Sequence, residues 1–196
     1  NKYSIMWNHL GVILMASTMV SVSAQASVDE AQATYNKRSI VVGAGCFWGV
    51  EKMFSEIVGV IDVVSGYANG QGVDATYQAI TLPSNRMNPN NHTEVVRITY
   101  NADVVNLRAI LESFFEYHDP TQVNRQGNDI GTQYRSMILT TDLEQIKVAN
   151  KTLTEYQILL SKAGFGQIVT EITPLTHFTS AESYHQDYLR KNPNGY

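Results

Sequence analysis

The sequence predicts an α+β fold: a ferredoxin-like (split βαβ) two-layer sandwich with a mixed or antiparallel sheet and an irregular C-terminal extension. Short β-branched runs alternate with apolar stripes at helical spacing, in the order strand, helix, strand, strand, helix, strand. The chain has 196 residues, 43 % of them hydrophobic, which suits one domain that buries its own core. After the third long helical stripe the pattern breaks into short pieces, and these form the extension.

Residues 38–42 are β-branched and end in the tight turn Gly43-Ala44-Gly45, which reads as a first strand. Phe47, Val50, Phe54 and Ile57 then lie on one face of a helix that Gly59 ends. Residues 60–67 read as a second strand, and 68–91, with Pro83 and Pro89, as a long loop around at most a short helix at 75–80. A third strand spans 94–100. Leu107, Ile110, Leu111, Phe114 and Phe115 mark a second helix, stopped before Asp119-Pro120. Residues 121–131 are a polar loop, and 134–140 a fourth strand. Thr141 and Glu144 read as a capping box that opens a third helix running to 162. A fifth strand at 168–175 and a short helix at 181–191 complete the chain.

The first residues read as a processing segment. The apolar run 10–22 is shorter than the roughly 20 residues a membrane span needs, and Ala24-Gln25-Ala26 fits a small-x-small cleavage site. The expected organisation is a cleavable secretory signal peptide at 1–26, a linker at 27–38 and a single catalytic domain at 39–196. Cleavage would move the net charge from −4 to −5. An acidic chain without a Lys/Arg run does not suit nucleic acid. The expected location is the exported compartment, a bacterial periplasm, with no membrane contact after processing.

Cys46 is the only cysteine, so it forms no internal disulfide and no thiolate metal cluster. It follows Gly45 and opens the first helix, where unpaired N–H groups and the helix dipole favour an anion. That position predicts a lowered thiol pKa and a nucleophilic thiolate rather than a buried filler. Gly43, Gly45 and Gly49 also imitate a dinucleotide turn, with Asp62 as the ribose acid. Phe47 and Trp48, however, would crowd the pyrophosphate, and the strand order does not suit a doubly wound sheet.

Glu94 shares a strand face with Val96, Ile98 and Tyr100, so it is either desolvated, with a raised pKa suited to a general acid, or solvated at the strand end. Phe47 fits the core face of its helix. Trp48 does not, and an aromatic beside a nucleophile can wall a pocket for an apolar group. Asp129, Tyr134 and Tyr77 are hydrogen-bonding residues to which spacing alone assigns no role. A cysteine hydrolase would need a base from His92, His118, His177 or His185, none with a local signature for that role. A non-catalytic binding domain is the third class.

Gly45-Cys46-Phe47-Trp48-Gly49 resembles the signature of the A-type peptide methionine sulfoxide reductases, and the resemblance covers nearly the whole of the expected mature chain. Gly66-Tyr67-Ala68, Thr76-Tyr77, His92-Thr93-Glu94-Val95-Val96 and Phe114-Phe115 fall where that family has them. So do 118–122, 124–129, 131–136 and Tyr184-His185-Gln186.

The resemblance implies that Cys46 attacks the sulfur of the S epimer of methionine sulfoxide, free or in proteins. Glu94 supplies the proton, Tyr77 and Tyr134 hydrogen-bond the oxygen, and Asp129 helps to position the polar side. It further implies that Phe47, Trp48 and His185 bind substrate, with no metal or organic cofactor. Two departures stand out: the stretch 81–91 is longer than the family's usual loop, and Ile130 stands where Arg is usual. With no second cysteine, the expected reductant is an external thiol on a thioredoxin- or glutaredoxin-like partner, acting on a monomer.

Overall fold

The computed structural model describes residues 35–195; the expected signal segment and most of the expected linker lie outside them. Six strands form the main sheet: β1 (Lys37–Ala44), β2 (Val60–Ala68), β3 (Thr93–Asn101), β6 (Ser136–Thr140), β7 (Glu171–Pro174) and β8 (Phe178–Ser180), in the order β7-β6-β1-β3-β2-β8. A two-residue-per-strand hairpin, β4 (Arg125–Gln126) and β5 (Asp129–Ile130), stands apart. The helices are α1 (Phe47–Ser55), α2 (Tyr77–Ile80), α3 (Leu107–Tyr117), α4 (Leu143–Lys162) and α5 (Tyr188–Lys191). The class is α+β with a mixed sheet, since β6 and β7 run parallel and the other pairs antiparallel. Both neighbours of β1 are antiparallel, so the glycine turn at 43–49 has no parallel switch point at which a dinucleotide would sit.

The period of two along a strand decides the layers. Ile40, Val42 and Ala44 of β1, Val96 and Ile98 of β3 and Ile138 of β6 join Phe47, Val50 and Phe54 of α1 and Ile110, Leu111 and Phe114 of α3 in the main core. Their sequence neighbours Val41, Val95, Met137 and Leu139 face the other side, where Leu175 and Phe178 cover them. Burial on both faces explains why the central strands read as continuous apolar runs.

Four expectations need correction. The capping box of α4 lies one residue later than expected: Asp142 is the N-cap and accepts from the Gln145 N–H at 2.8 Å, while Gln145 Oε1 accepts from the Thr141 N–H at 2.9 Å. Tyr134 is not on a strand but ends a tight turn at Thr132–Tyr134 that precedes β6. The stretch 121–131 is not a plain loop, because it contains the β4–β5 hairpin. Residues 181–191 are not one helix. A turn at Ser183–His185 and the short α5 are separated by Asp187 at φ 53, and β8 pairs with β2 just before them.

The long loop after β2 is tied down by side chains. Asn91 is buried and its amide donates to the carbonyls of Ile80 and Asn85, at 3.0 and 3.1 Å. The Arg135 guanidinium donates to Pro89 O at 3.0 Å and Asn91 O at 2.9 Å. This rigid loop brings Tyr77 to the end of the sheet where β1 stops and β3 starts. Replacing Asp142 by Ala removes the α4 cap and is expected to cost about 1 kcal/mol. Thr141→Ala is expected to cost less, since its amide still reaches Gln145, and urea midpoints of the two variants check the order.

Candidate active site

Cys46 is the N-cap of α1, and Gly45 before it has φ 94. Glycine alone takes that backbone without strain, and a Cβ there would also meet the Gln126 side chain at 2.8 Å. The sulfur is partly exposed at the junction of β1 and α1. The amides of Trp48 and Gly49 favour its thiolate, as the helix start predicts. Burial acts the other way and wins; with the Glu94 charge it pushes the thiol up to about 12. The expected low thiol pKa is thus corrected: the resting sulfur carries its proton. A helix end supplies about half a charge, whereas desolvation and a neighbouring carboxylate both penalise an anion at this spot.

Glu94 is 2 % exposed, so of its two readings the desolvated one describes the protein. The period of β3 turns it toward α1, where its Oε2 accepts from the Phe47 N–H at 3.2 Å. Burial pushes the carboxyl up to about 8, and the Asp129 charge adds to the shift, against that hydrogen bond. Tyr77 opens α2. Burial, with the charges of Glu94 and Cys46, raises its phenol. Tyr134 is raised further, by burial and then by Glu94, Asp129 and Cys46. Both phenols therefore keep their protons and serve as donors. Glu94, Cys46 and Asp129 all act on the two phenols, and Asp129 lines both the groove that Cys46 borders and the cavity that Tyr77 and Tyr134 border.

An aromatic cluster beside Cys46 joins α1 to the C-terminal segment. Phe47 is buried, with its ring centroid 5.0 Å from His185 and 5.8 Å from Tyr67. Trp48 stacks on Tyr188 at 3.8 Å, and its Nε1 donates to His185 Nδ1 at 3.0 Å. His185 is 1 % exposed and packed among the rings of Phe47, Trp48 and Tyr77, so it presents no open edge of its own to a substrate. Sequence reasoning missed Glu182. Its carboxylate accepts from the Tyr67 hydroxyl at 2.7 Å and the Tyr77 N–H at 2.9 Å, and lies 3.5 Å from His185 Nε2. The spacing of Glu182 and His185, three apart, is a signal that the two share a face, but nothing local says that the face meets Tyr67 and Tyr77.

A groove of about 500 Å³ leads to Cys46 between α1 and the hairpin, past Met53, Tyr117 and Gln126. His118 also borders it but is no base for the thiol: its Nδ1 pairs with Phe114 O and its Nε2 with Ser136 Oγ, both at 2.7 Å, and burial pulls it down to about 4. No group of three His, Cys, Asp or Glu among the described residues is arranged to hold a metal ion.

The family described as peptide methionine sulfoxide reductase matches residues 38–196. The chain belongs to that family. It is 43 % identical over 166 residues to the peptide methionine sulfoxide reductase MsrA of Vibrio vulnificus, a match that covers 85 % of this chain and 77 % of the relative. The structure is similar to methionine sulfoxide reductase A of Corynebacterium diphtheriae, with a TM-score of 0.74 at 39 % identity over 82 % of this chain and 77 % of that one. It is also similar to Mxr1 from Saccharomyces cerevisiae, solved in complex with Trx2, with a TM-score of 0.53 at 25 % identity over 78 % of this chain and 84 % of that one.

In this reductase the raised Glu94 couples the site to stability. The native carboxyl keeps a proton up to about 8 that the unfolded chain has lost above its ordinary 4.5. Its contribution to stability is therefore complete below 4.5 and is lost as pH rises through about 8. Glu94→Gln lacks this dependence. Urea denaturation is expected to show the variant gaining on the wild type between about pH 5 and about pH 9.

Proposed function

We propose that this enzyme reduces the S epimer of methionine sulfoxide to methionine through Cys46, with Glu94 as the acid. The observation that carries the mechanism is the juxtaposition of a buried carboxyl, hydrogen-bonded to the first turn of α1, with the partly exposed thiol at the start of that helix. Glu94 protonates the sulfoxide oxygen, which Tyr77 and Tyr134 hold by hydrogen bonds, and the sulfur becomes electrophilic. The Cys46 proton passes to Glu94 as the thiolate attacks. The attack joins Cys46 to the substrate sulfur; the hydroxyl then passes from that sulfur to Cys46 as the new sulfur–sulfur bond breaks, so that methionine leaves and Cys46 is left as sulfenic acid. The substrate sulfur is reduced by two electrons and Cys46 is oxidised by two. Phe47 and Trp48 receive the S-methyl group, Asp129 orients the polar side and His185 fixes Trp48.

Recharging is assigned to an external thiol, of a thioredoxin- or glutaredoxin-like protein, that enters by the groove over Met53 and Tyr117. One thiol displaces water from the sulfenic acid to form a mixed disulfide, and a second releases Cys46. The complex of the similar Mxr1 with Trx2 supports this reading. The enzyme is taken to act as a monomer without a metal or organic cofactor. The apolar run at 10–22 and the site after Ala26 assign it to the periplasm. The four central strands, ordered β6-β1-β3-β2 and all antiparallel to their neighbours, support the finer reading of a split βαβ core.

Without reductant, each chain is expected to yield about one methionine from the S epimer and none from the R epimer, with sulfenic acid on Cys46. Mass spectrometry with a sulfenic-acid trap checks it. Cys46→Ser is expected to yield none, whereas a binding domain would be indifferent to that change. The single-turnover rate should be flat at low pH and fall about tenfold per unit above the Glu94 value of about 8, a limb that Glu94→Gln loses along with most of its rate.

A further inference from the structure

Beside the oxygen-binding tyrosines lies a second cavity, of about 420 Å³, walled by Tyr77 and Tyr134 on one side and by Asp129 and Ile130 of the hairpin on another. Its remaining wall includes Arg86, from the long loop, and among the described residues Arg86 is the only cationic side chain that lines it. Its position is held from both directions. The Arg86 carbonyl accepts from the Thr132 N–H at 2.8 Å, and the Arg86 Nε donates to the Ile130 carbonyl at 3.3 Å. The loop on which it rides is tied by Asn85 to Ala79 O at 2.8 Å and by Arg135 to Pro89 O at 3.0 Å. Among the described residues, the two terminal nitrogens of Arg86 make no hydrogen bond or ion pair. An exposed guanidinium with its stem fixed and its fork unfilled is set up for a planar anion, and a carboxylate is the planar anion it pairs with in two parallel bonds.

We propose that Arg86 and this cavity form a subsite for a carboxylate carried by the sulfoxide substrate, next to the reacting group. The inference rests on the reductase reading above and names a preference within it. Without Arg86 the site would disfavour such substrates, since the chain has a net charge of −4 and Asp129 faces the same cavity. The carboxylate has two sources: the α-carboxylate of free methionine sulfoxide, or an Asp or Glu side chain beside it in a peptide. The shared chemistry is the same, and the experiment separates them.

The test measures kcat/KM at low salt for matched substrate pairs of the S epimer: N-acetyl-methionine sulfoxide against its amide, and tripeptides with Glu against Gln before or after the sulfoxide. In the wild type at least one carboxylate substrate is expected to exceed its neutral partner by about two- to five-fold, the range of an exposed ion pair. The difference should lie in KM and fade toward 1 M salt. Arg86→Gln should bring that ratio to about one and Arg86→Glu should invert it. Which pair shows the preference names the source. Equal kcat/KM within every wild-type pair overturns the subsite and leaves the reductase standing, as does a preference that survives in Arg86→Gln. No methionine from any substrate overturns both.

Discussion

The carboxyl of Glu94 is the group around which the rest of the site is arranged. β3 pairs on both edges and is covered on both faces, so each of its side chains is committed to one layer or the other. The alternation that sends Val96 and Ile98 into the main core sends Glu94 there too, at the strand's first turn toward α1. Burying a carboxyl without a cation favours its protonated form. Among the described residues its hydrogen-bond donor is the Phe47 N–H, which belongs to the first turn of α1, whose start also carries Cys46. One geometric decision thus sets the Glu94 carboxyl beside the start of the helix that carries Cys46.

That placement changes how the cysteine works. A helix start is ordinarily read as a device for making thiolate, and the amides of Trp48 and Gly49 do act in that sense. In a pocket shared with Glu94 and Asp129, however, a further negative charge is opposed from two sides and by burial. The resting pocket holds its protons on both Cys46 and Glu94.

The C-terminal segment closes the other side. The Gln186 amide pairs with both backbone groups of Ser65, at 3.0 and 2.9 Å, which fixes the tail against β2. Glu182 and His185 are thereby held against Tyr77 and Trp48. The irregularity of this extension is a consequence of its task. A regular helix over 181–191 would display its side chains at a fixed spacing, whereas the tail has to place carboxylate, imidazole and amide against three different elements.

Much of this was legible in the sequence. The central strands, the three long helices and the place of Cys46 at a helix start follow from apolar periodicity and glycine placement, which are local or additive. The cap of α4 was misplaced by one residue because Thr141 and Asp142 are both good caps and only the hydrogen bonds choose between them. The β4–β5 hairpin was missed because its strands are too short to alternate. Sequence alone determined which face of β3 carries Glu94, since a period of two needs no partner to be read. Only the tertiary structure decided what that face meets. Charge and desolvation depend on neighbours far apart in the chain, such as Phe47 with Glu94 or Glu182 with Tyr77. The protonated state of Cys46 is one result of that long-range field, and the placing of Arg86 beside the tyrosines by the tied loop is another.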